Sequence, residues 1–493
     1  MDRSSGVLLH ISSLPSDHGI GTFGDEARKF VDFLKESDQT YWQILPLSQT
    51  GYGDSPYQSF SVYAGNPYFI DLDYLCNDGL LERSDYENID WNSTADSINY
   101  ETMYQKRYPV LKKAVQNLFN SNNLDEYYRF INENKWVEDY ALFMAIKNTF
   151  NDNGFELWPK EYRLKDQETI EIFIEYHKDL INFYKAVQYL FSKQWFSLKE
   201  YANEKGIKII GDCPIYISSD SCDLWMRPDL FQVDEDLKLV KVAGCPPDAF
   251  SERGQLWGNP LYDWDRHKED GYSWWVDRVK YLTKLYDVVR IDHFRGLSAY
   301  YSIDADAIDA IYGKWIKGPG KDLIEAINRN LDASIIAEDL GFQDQDVKDL
   351  LEYSKYPGMS VLQFGFDSRD ANNDDNILHN FRKNSVVYTG THDNETMIGW
   401  LESVDKKEVE FAKDYVHMCD DETFNWACIR SLLASVADVA IIPVQDLLGL
   451  DNSSRMNTPS TMGENWKWRL DKNAFDETIS KRLKHYTNLY GRY

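Results

Sequence analysis

Residues 288–292 read Val-Val-Arg-Ile-Asp, a short β-branched run that stops at a carboxylate. A strand buried on both faces of a parallel sheet carries a near-continuous apolar run of this kind, not an alternating one. Seven more such runs lie along the chain: Gly6 to His10, Tyr41 to Leu45, Ile207 to Asp212, Ser334 to Glu338, Met359 to Phe364, Ser385 to Thr389 and Val439 to Pro443. Amphipathic stretches of helical period precede several of them, the alternation that specifies crossover units. Eight such strands predict a closed (β/α)8 TIM barrel, an α/β fold.

The clearest helix is expected from about Asp179 to Lys205, where Gly206 stops it directly before the strand IKIIGD. Another is expected to start near Thr22: Thr22 and Asp25 have capping-box spacing, and Ala27, Phe30, Val31 and Leu34 form one apolar stripe. About 160 residues separate the second and third strands, far more than one crossover needs. Residues 66–200 are therefore read as a mainly helical insertion. Dense Pro, Gly and Trp over 213–286 predict a second, loop-rich insertion covering the site. With both insertions, residues 1–493 make one catalytic barrel domain.

Lys and Arg number 53 against 81 Asp and Glu, a formal net charge of −28. That field repels nucleic acid and anionic lipid, so neither is an expected partner, and a neutral or cationic ligand is favoured. The six cysteines show no CxxC pair and no histidine cluster at metal-ligand spacing, and are read as reduced thiols. The only apolar run near the start, Val7 to Ile11, is too short for a signal-peptide core, and nowhere do 18 apolar residues run uninterrupted. A cytoplasmic protein without a membrane span is expected.

In a parallel barrel the reactive groups sit where strands end. Three expected strands stop at Asp212, Asp292 and Glu338, and SVVYTGTHD reaches Asp393 just past its strand. One acid at a strand end is ordinarily a cap; four converging acids point to a site. Crowded carboxylates hold only if a cation offsets them or one stays protonated. Arg290, two residues before Asp292 and on the same face of its strand, is the candidate cation; an interior salt bridge is its plainer role. A bound divalent metal is the rival account of clustered acids. Few histidines and no ligand spacing place it second.

Two carboxylates flanking a bond, among aromatic and neutral polar groups, are the apparatus of glycoside cleavage. Tyr52, Tyr57, Trp257 and Phe366 are candidate stacking surfaces for sugar rings. Core packing is the ordinary place for any one of them. The polar surroundings in GYGDSPYQS (51–59) and GQLWGNP (254–260) argue for the site instead.

At these motifs the chain resembles the amylomaltases or 4-α-glucanotransferases, the disproportionating enzymes of glycoside hydrolase family 77, more distantly related to α-amylases. The resemblance covers essentially the whole chain. It runs through SPYQSFSVYAGNPYFIDL from Ser55, GDCPIYISSDSCDLW from Gly211, PPDAFSERGQLWGNPLYDW from Pro246, VRIDHFRG from Val289, IIAEDLG from Ile335, GTHDNET from Gly390 and RMNTPST from Arg455. It implies Asp292 as nucleophile, Glu338 as general acid and base, and Asp393 as the carboxylate gripping the sugar's 2- and 3-hydroxyls. Arg290 and His392 would bind around the cleaved sugar with Tyr57 and Asp212 nearby. Asp248, Gln255 and Trp257 would cover the acceptor side, with Asn457 on a facing loop. Ser460 departs from the pattern, since the family more often has glycine after that proline.

The implied activity is transfer of an α-1,4-glucan segment to a new 4-hydroxyl by two displacements, with net retention and no cofactor. Hydrolysis by the same acids is the nearest alternative, and a glucan-binding protein without catalysis the more distant one. The partners are α-1,4-glucans such as malto-oligosaccharides or chains from starch or glycogen. The oligomeric state is not legible.

Overall fold

All eight apolar runs form parallel strands of one barrel. The computed structural model describes residues 1–51, 53–121, 123–247, 251–341, 343–368 and 373–493. In chain order the strands among them are β1 (Ser4–Leu8), β2 (Tyr41–Gln43), β3 (Lys208–Cys213), β4 (Lys241–Cys245), β5 (Gln255–Pro260), β6 (Val288–Ile291), β7 (Ala299–Asp304), β8 (Lys314–Lys317), β9 (Ile335–Ala337), β10 (Gly358–Val361), β11 (Ser385–Tyr388) and β12 (Val439–Pro443). The barrel strands are hydrogen-bonded in the order β10-β11-β12-β1-β2-β3-β6-β9. Between the two ends of that order, the Ala337 N–H donates to the Pro357 carbonyl at 2.9 Å, so the sheet comes round on itself. A (β/α)8 barrel results.

The core fills as expected of strands covered on both faces. Val289, Ile291, Ile336, Val386, Val387, Ile441 and Ile442 are buried. Gly211 in β3 is required by a close approach: a Cβ there would stand 2.2 Å from the ring of Tyr286. The helix Lys178–Glu204 leads into β3 and ends where Gly206 takes a φ of +83°, the left-handed stop that glycine adopts without strain.

Three local expectations are corrected. The helix near Thr22 is Asp25–Glu36, with Gly24 at its N-cap and no side-chain cap. Thr22 instead donates its hydroxyl to Asp71 Oδ2 at 2.6 Å, and that carboxylate fills the space beside Gly24. The run Met359 to Phe364 leaves the sheet at Val361, its last β-branched residue, and Leu362–Phe366 turns helical. The stretch over 213–286 contains two ladder strands, β4 and β5, which join β7 and β8 in a separate antiparallel sheet of order β5-β4-β7-β8. In this sheet β4 and β7 are partly buried, with Val242, Tyr301 and Ile303 in a small core of their own, while β8 is exposed throughout.

Between β2 and β3 lie the helices Tyr100–Asn120, Asp125–Glu133, Trp136–Thr149 and Gln167–Tyr176, followed by Lys178–Glu204. Among the described residues no helix is long and apolar enough to cross a membrane.

Candidate active site

Three neighbouring strands place the acids. In the parallel register Asp212 of β3 lies opposite Arg290 of β6, and Arg290 lies opposite Ile336 of β9. Residues directly opposite share a face, so Asp212 and Arg290 meet inside the barrel. Nη1 of Arg290 donates to Oδ1 of Asp212 at 2.8 Å and to Oδ2 at 2.7 Å. Two residues on along β6, the same Nη1 lies 2.9 Å from Asp292 Oδ1. Burial by itself would lower Arg290, but Asp212 and Asp292 outweigh it and hold the guanidinium well above its ordinary value. Burial in turn pushes Asp212 upward against the pull of Arg290. The arginine is thus the fixed positive charge around which the acids are arranged.

Continuing the β6/β9 register by one rung sets Asp292 across from Glu338, and the Glu338 N–H does donate to the Ile291 carbonyl at 3.0 Å. A regular ladder would next bond the His293 N–H to the Glu338 carbonyl. Here the chain slips by one residue, in the manner of a bulge: His293 has a φ of +49° and the Phe294 N–H takes that carbonyl at 2.9 Å. The His293 N–H is released to donate to the side chain, Glu338 Oε2, at 2.7 Å. On the other side the Leu340 N–H donates to Oε1, also at 2.7 Å. Glu338 is only 8% exposed. Burial first, and the Asp292 charge second, push its pKa from 4.5 up to about 7, against the pull of Arg290 and of the two main-chain donors. A carboxyl raised to that range can hold a proton near neutral pH, as a general acid must.

Past β11, His392 and Asp393 close the other side. Tyr57 donates its hydroxyl to Asp212 Oδ2 at 2.7 Å and lies 3.0 Å from His392 Nε2, with its ring stacked on the imidazole. His392 Nε2 is 3.3 Å from Asp393 Oδ2. Asn457 donates its amide to Asp393 Oδ1 at 2.6 Å, and Arg455 bridges the two segments by donating to the carbonyls of Asp393 and Asn457. Asp393 keeps a half-exposed side chain, open to a ligand.

These groups share a cleft of about 500 Å³, lined by Tyr57, Gln255, Trp257, Asp292, Glu338, His392, Asp393 and Asn457 among others. Asp212 and Arg290 lie buried beneath it. Trp257 donates its indole N–H to Gln255 Oε1 at 3.0 Å and meets His293 edge-on at 5.0 Å. Ser460 lies in the cleft wall with a φ of +64°, a left-handed conformation that glycine adopts freely and serine only with strain. Asp248 and Tyr52 fall outside the described residues. Phe366 is not in the site: it is buried against Trp400, Phe411 and Tyr415, a core aromatic.

The structure adds groups that sequence reasoning did not assign. His293, held neutral by burial that lowers it to about 4, lines the cleft with Tyr216, Asn259 and Trp466. His293 follows Asp292 directly, and Arg455 stands in a quoted motif, so adjacency could have marked both; nothing marked Trp466. Among the described residues no group of three or more His, Cys, Asp or Glu is arranged to hold a metal ion.

The cleft thus offers an anion fixed by arginine, a buried carboxyl holding a proton near neutral pH, and a third carboxylate open to hydroxyl groups. The family model described as 4-alpha-glucanotransferase matches residues 9–474. A 4-alpha-glucanotransferase of Clostridium butyricum is 48% identical over 488 residues, 98% of this chain and 100% of that one. An amylomaltase from Streptococcus agalactiae, solved in complex with acarbose, superposes with a TM-score of 0.97 at 44% identity over 99% of each chain. The amylomaltase from Corynebacterium glutamicum, 19% identical with a TM-score of 0.78 over 99% of this chain and 75% of its own, shares the fold. With a family model that spans nearly its whole length and relatives this similar end to end, the chain belongs to the 4-alpha-glucanotransferases, glycoside hydrolase family 77.

Proposed function

We propose that this chain is a 4-α-glucanotransferase, moving a segment of an α-1,4-glucan to the 4-hydroxyl of glucose or another glucan by retaining double displacement. Asp292 attacks the anomeric carbon while Glu338 protonates the departing glycosidic oxygen, and the reducing-end fragment leaves. Glu338, now a base, takes the proton from an acceptor 4-hydroxyl, whose oxygen displaces Asp292 and restores the α-linkage. Asp393 grips the 2- and 3-hydroxyls as the ring flattens, a contact strongest in the transition state. Tyr57, His392, Arg290 and Asp212 hold the sugar's surroundings, and Gln255, Trp257 and Asn457 the acceptor side, a role the family resemblance also implies for Asp248.

The observation that carries this reading is the placement of Asp292 and Glu338 across from each other at the ends of adjacent strands, one beside Arg290 and the other raised to about 7. Retention requires roughly 5 to 5.5 Å between the two carboxyls, a separation that facing residues at the ends of adjacent strands are placed to supply. We also read the helices between β2 and β3 as a subdomain inserted in a single catalytic domain. A cytoplasmic location is supported by six cysteines that are all free thiols.

Incubation with maltotriose tests the reaction. Transfer gives glucose and a ladder of longer oligomers at constant reducing ends; a steady rise in reducing ends would establish hydrolysis instead. A 5-fluoro or 2-fluoro glucosyl donor should label Asp292, and a label on any other residue would overturn its role.

A further inference from the structure

Asp339 directly follows Glu338, is 0% exposed and lies in the seam where β9 meets β10. Its Oδ1 accepts the Met359 main-chain N–H at 2.6 Å, and its Oδ2 accepts from Arg382 Nη2 at 2.8 Å and Gln343 Nε2 at 3.1 Å. After the Ala337 to Pro357 bond, a regular parallel ladder would turn the Met359 N–H to the Ala337 carbonyl. The Asp339 side chain takes that N–H instead, so the chain turns away at Glu338 without orphaning a buried donor. Space is kept for this arrangement: a Cβ on Gly358 would stand 2.5 Å from Arg382 Nη2 and 2.6 Å from Asp339 Oδ1.

Two links lead from this bond to the chemistry. The peptide that follows Asp339 carries the Leu340 N–H, which donates to Glu338 Oε1 at 2.7 Å. Fastening Asp339 to β10 fixes that peptide plane and keeps the donor aimed. Met359, whose N–H Asp339 holds, receives the Nε–H of Arg290 on its sulfur at 3.4 Å, and Arg290 contacts Asp292.

We propose that Asp339 is a positioning residue that aims the Glu338 carboxyl through the Leu340 N–H, with the Met359 N–H as its anchor on β10. The proposal rests on Glu338 being the acid and base of the reaction. Its test compares Asp339→Ala, Asp339→Asn and Glu338→Ala on two donors. Maltotriose needs the acid to protonate its leaving oxygen. With α-maltosyl fluoride, fluoride leaves unprotonated, and azide then breaks the ester to Asp292 to give a glycosyl azide, with neither acid nor base required.

Misaim of a reacting group by about 1 Å costs on the order of 100-fold, so Asp339→Ala should lose about that much in kcat on maltotriose, with KM changed by less than about threefold. Asp339→Asn retains an oxygen for the Met359 N–H and should recover to within roughly tenfold of the unaltered protein. With the fluoride and azide, Asp339→Ala should turn over at the rate of the unaltered protein. An equal loss on both donors, full maltotriose activity, or a change confined to KM would overturn the proposal. Failure of azide to rescue Glu338→Ala would instead bring down the assignment of Glu338 itself. Rescue of Glu338→Ala but not Asp339→Ala would sink the positioning role alone.

Discussion

Replacing Asp292 by Asn should lower the pKa of Glu338. Asp292 is the second cause, after burial, of the rise of Glu338 to about 7, and Arg290 and the two main-chain donors oppose that rise. At an effective dielectric constant of about 20, two like charges about 5 Å apart repel by roughly 3 kcal/mol. The Asp292 side chain is 28% exposed, and water screening reduces the effect to on the order of one pKa unit, about 1.4 kcal/mol. The variant also leaves the Arg290 charge less balanced, which acts in the same direction. Glu338 should therefore titrate near pH 6 instead of about 7. Carbon-13 NMR of carboxyl-labelled glutamate measures this, with Glu338→Gln identifying the resonance. Under the proposed mechanism the same arithmetic applies to the ester of Asp292: with that charge neutralised Glu338 is more acidic, which favours its anion as the proposed base of the second step. In the unaltered protein kcat/KM for the donor should fall as pH rises through about 7, because Glu338 as the proposed acid must be protonated in the free enzyme. A Glu338 that titrates unchanged or higher in Asp292→Asn would refute the facing charge, and one near 4.5 in the unaltered protein would refute the burial argument.

Arg290→Ala leaves two carboxylates without their shared cation and should destabilise the fold by about 3 to 5 kcal/mol at neutral pH. Urea unfolding should show the deficit shrinking toward pH 4 as the acids protonate, and a pH-independent loss would contradict the electrostatic account. Tyr57→Phe removes the hydroxyl bonded to Asp212 and beside His392, a loss of about 1 to 1.5 kcal/mol, read as a roughly tenfold fall in kcat/KM on maltotriose. Ser460→Gly relieves a left-handed serine worth about 1 kcal/mol, partly offset by unfolded-state entropy, so stability should rise slightly or stay level, while Ser460→Val should lower it. Equal stability of the glycine and valine forms in urea would contradict strain at that position.

The barrel was legible because its strands are buried on both faces and so keep their β-branched runs whole; β12 was read to the residue. β10 was overrun because apolarity alone does not separate a buried strand from the helix after it. In the antiparallel sheet, β8 (Lys314–Lys317) was not legible because it is exposed and carries no apolar period. Thr22 misled because its spacing to Asp25 fits a cap while Asp71, distant in sequence, claims its hydroxyl. In the site, carboxylates at strand ends and an arginine two residues away follow from period-two geometry. The donors that aim Glu338 do not: they are main-chain N–H groups, which every residue but proline has, and only the slip at His293 frees one of them. Asp339 went unread for a related reason, since its partner Met359 lies on another strand.

The slip at His293 also divides what can vary from what cannot. Asp292 and Glu338 stand at the ends of adjoining staves of one hydrogen-bonded cylinder. Gln255 and Asn457 stand on segments outside that cylinder. A lineage could then rewrite those outer walls to favour longer, shorter or branched acceptors while inheriting the bond-breaking geometry intact.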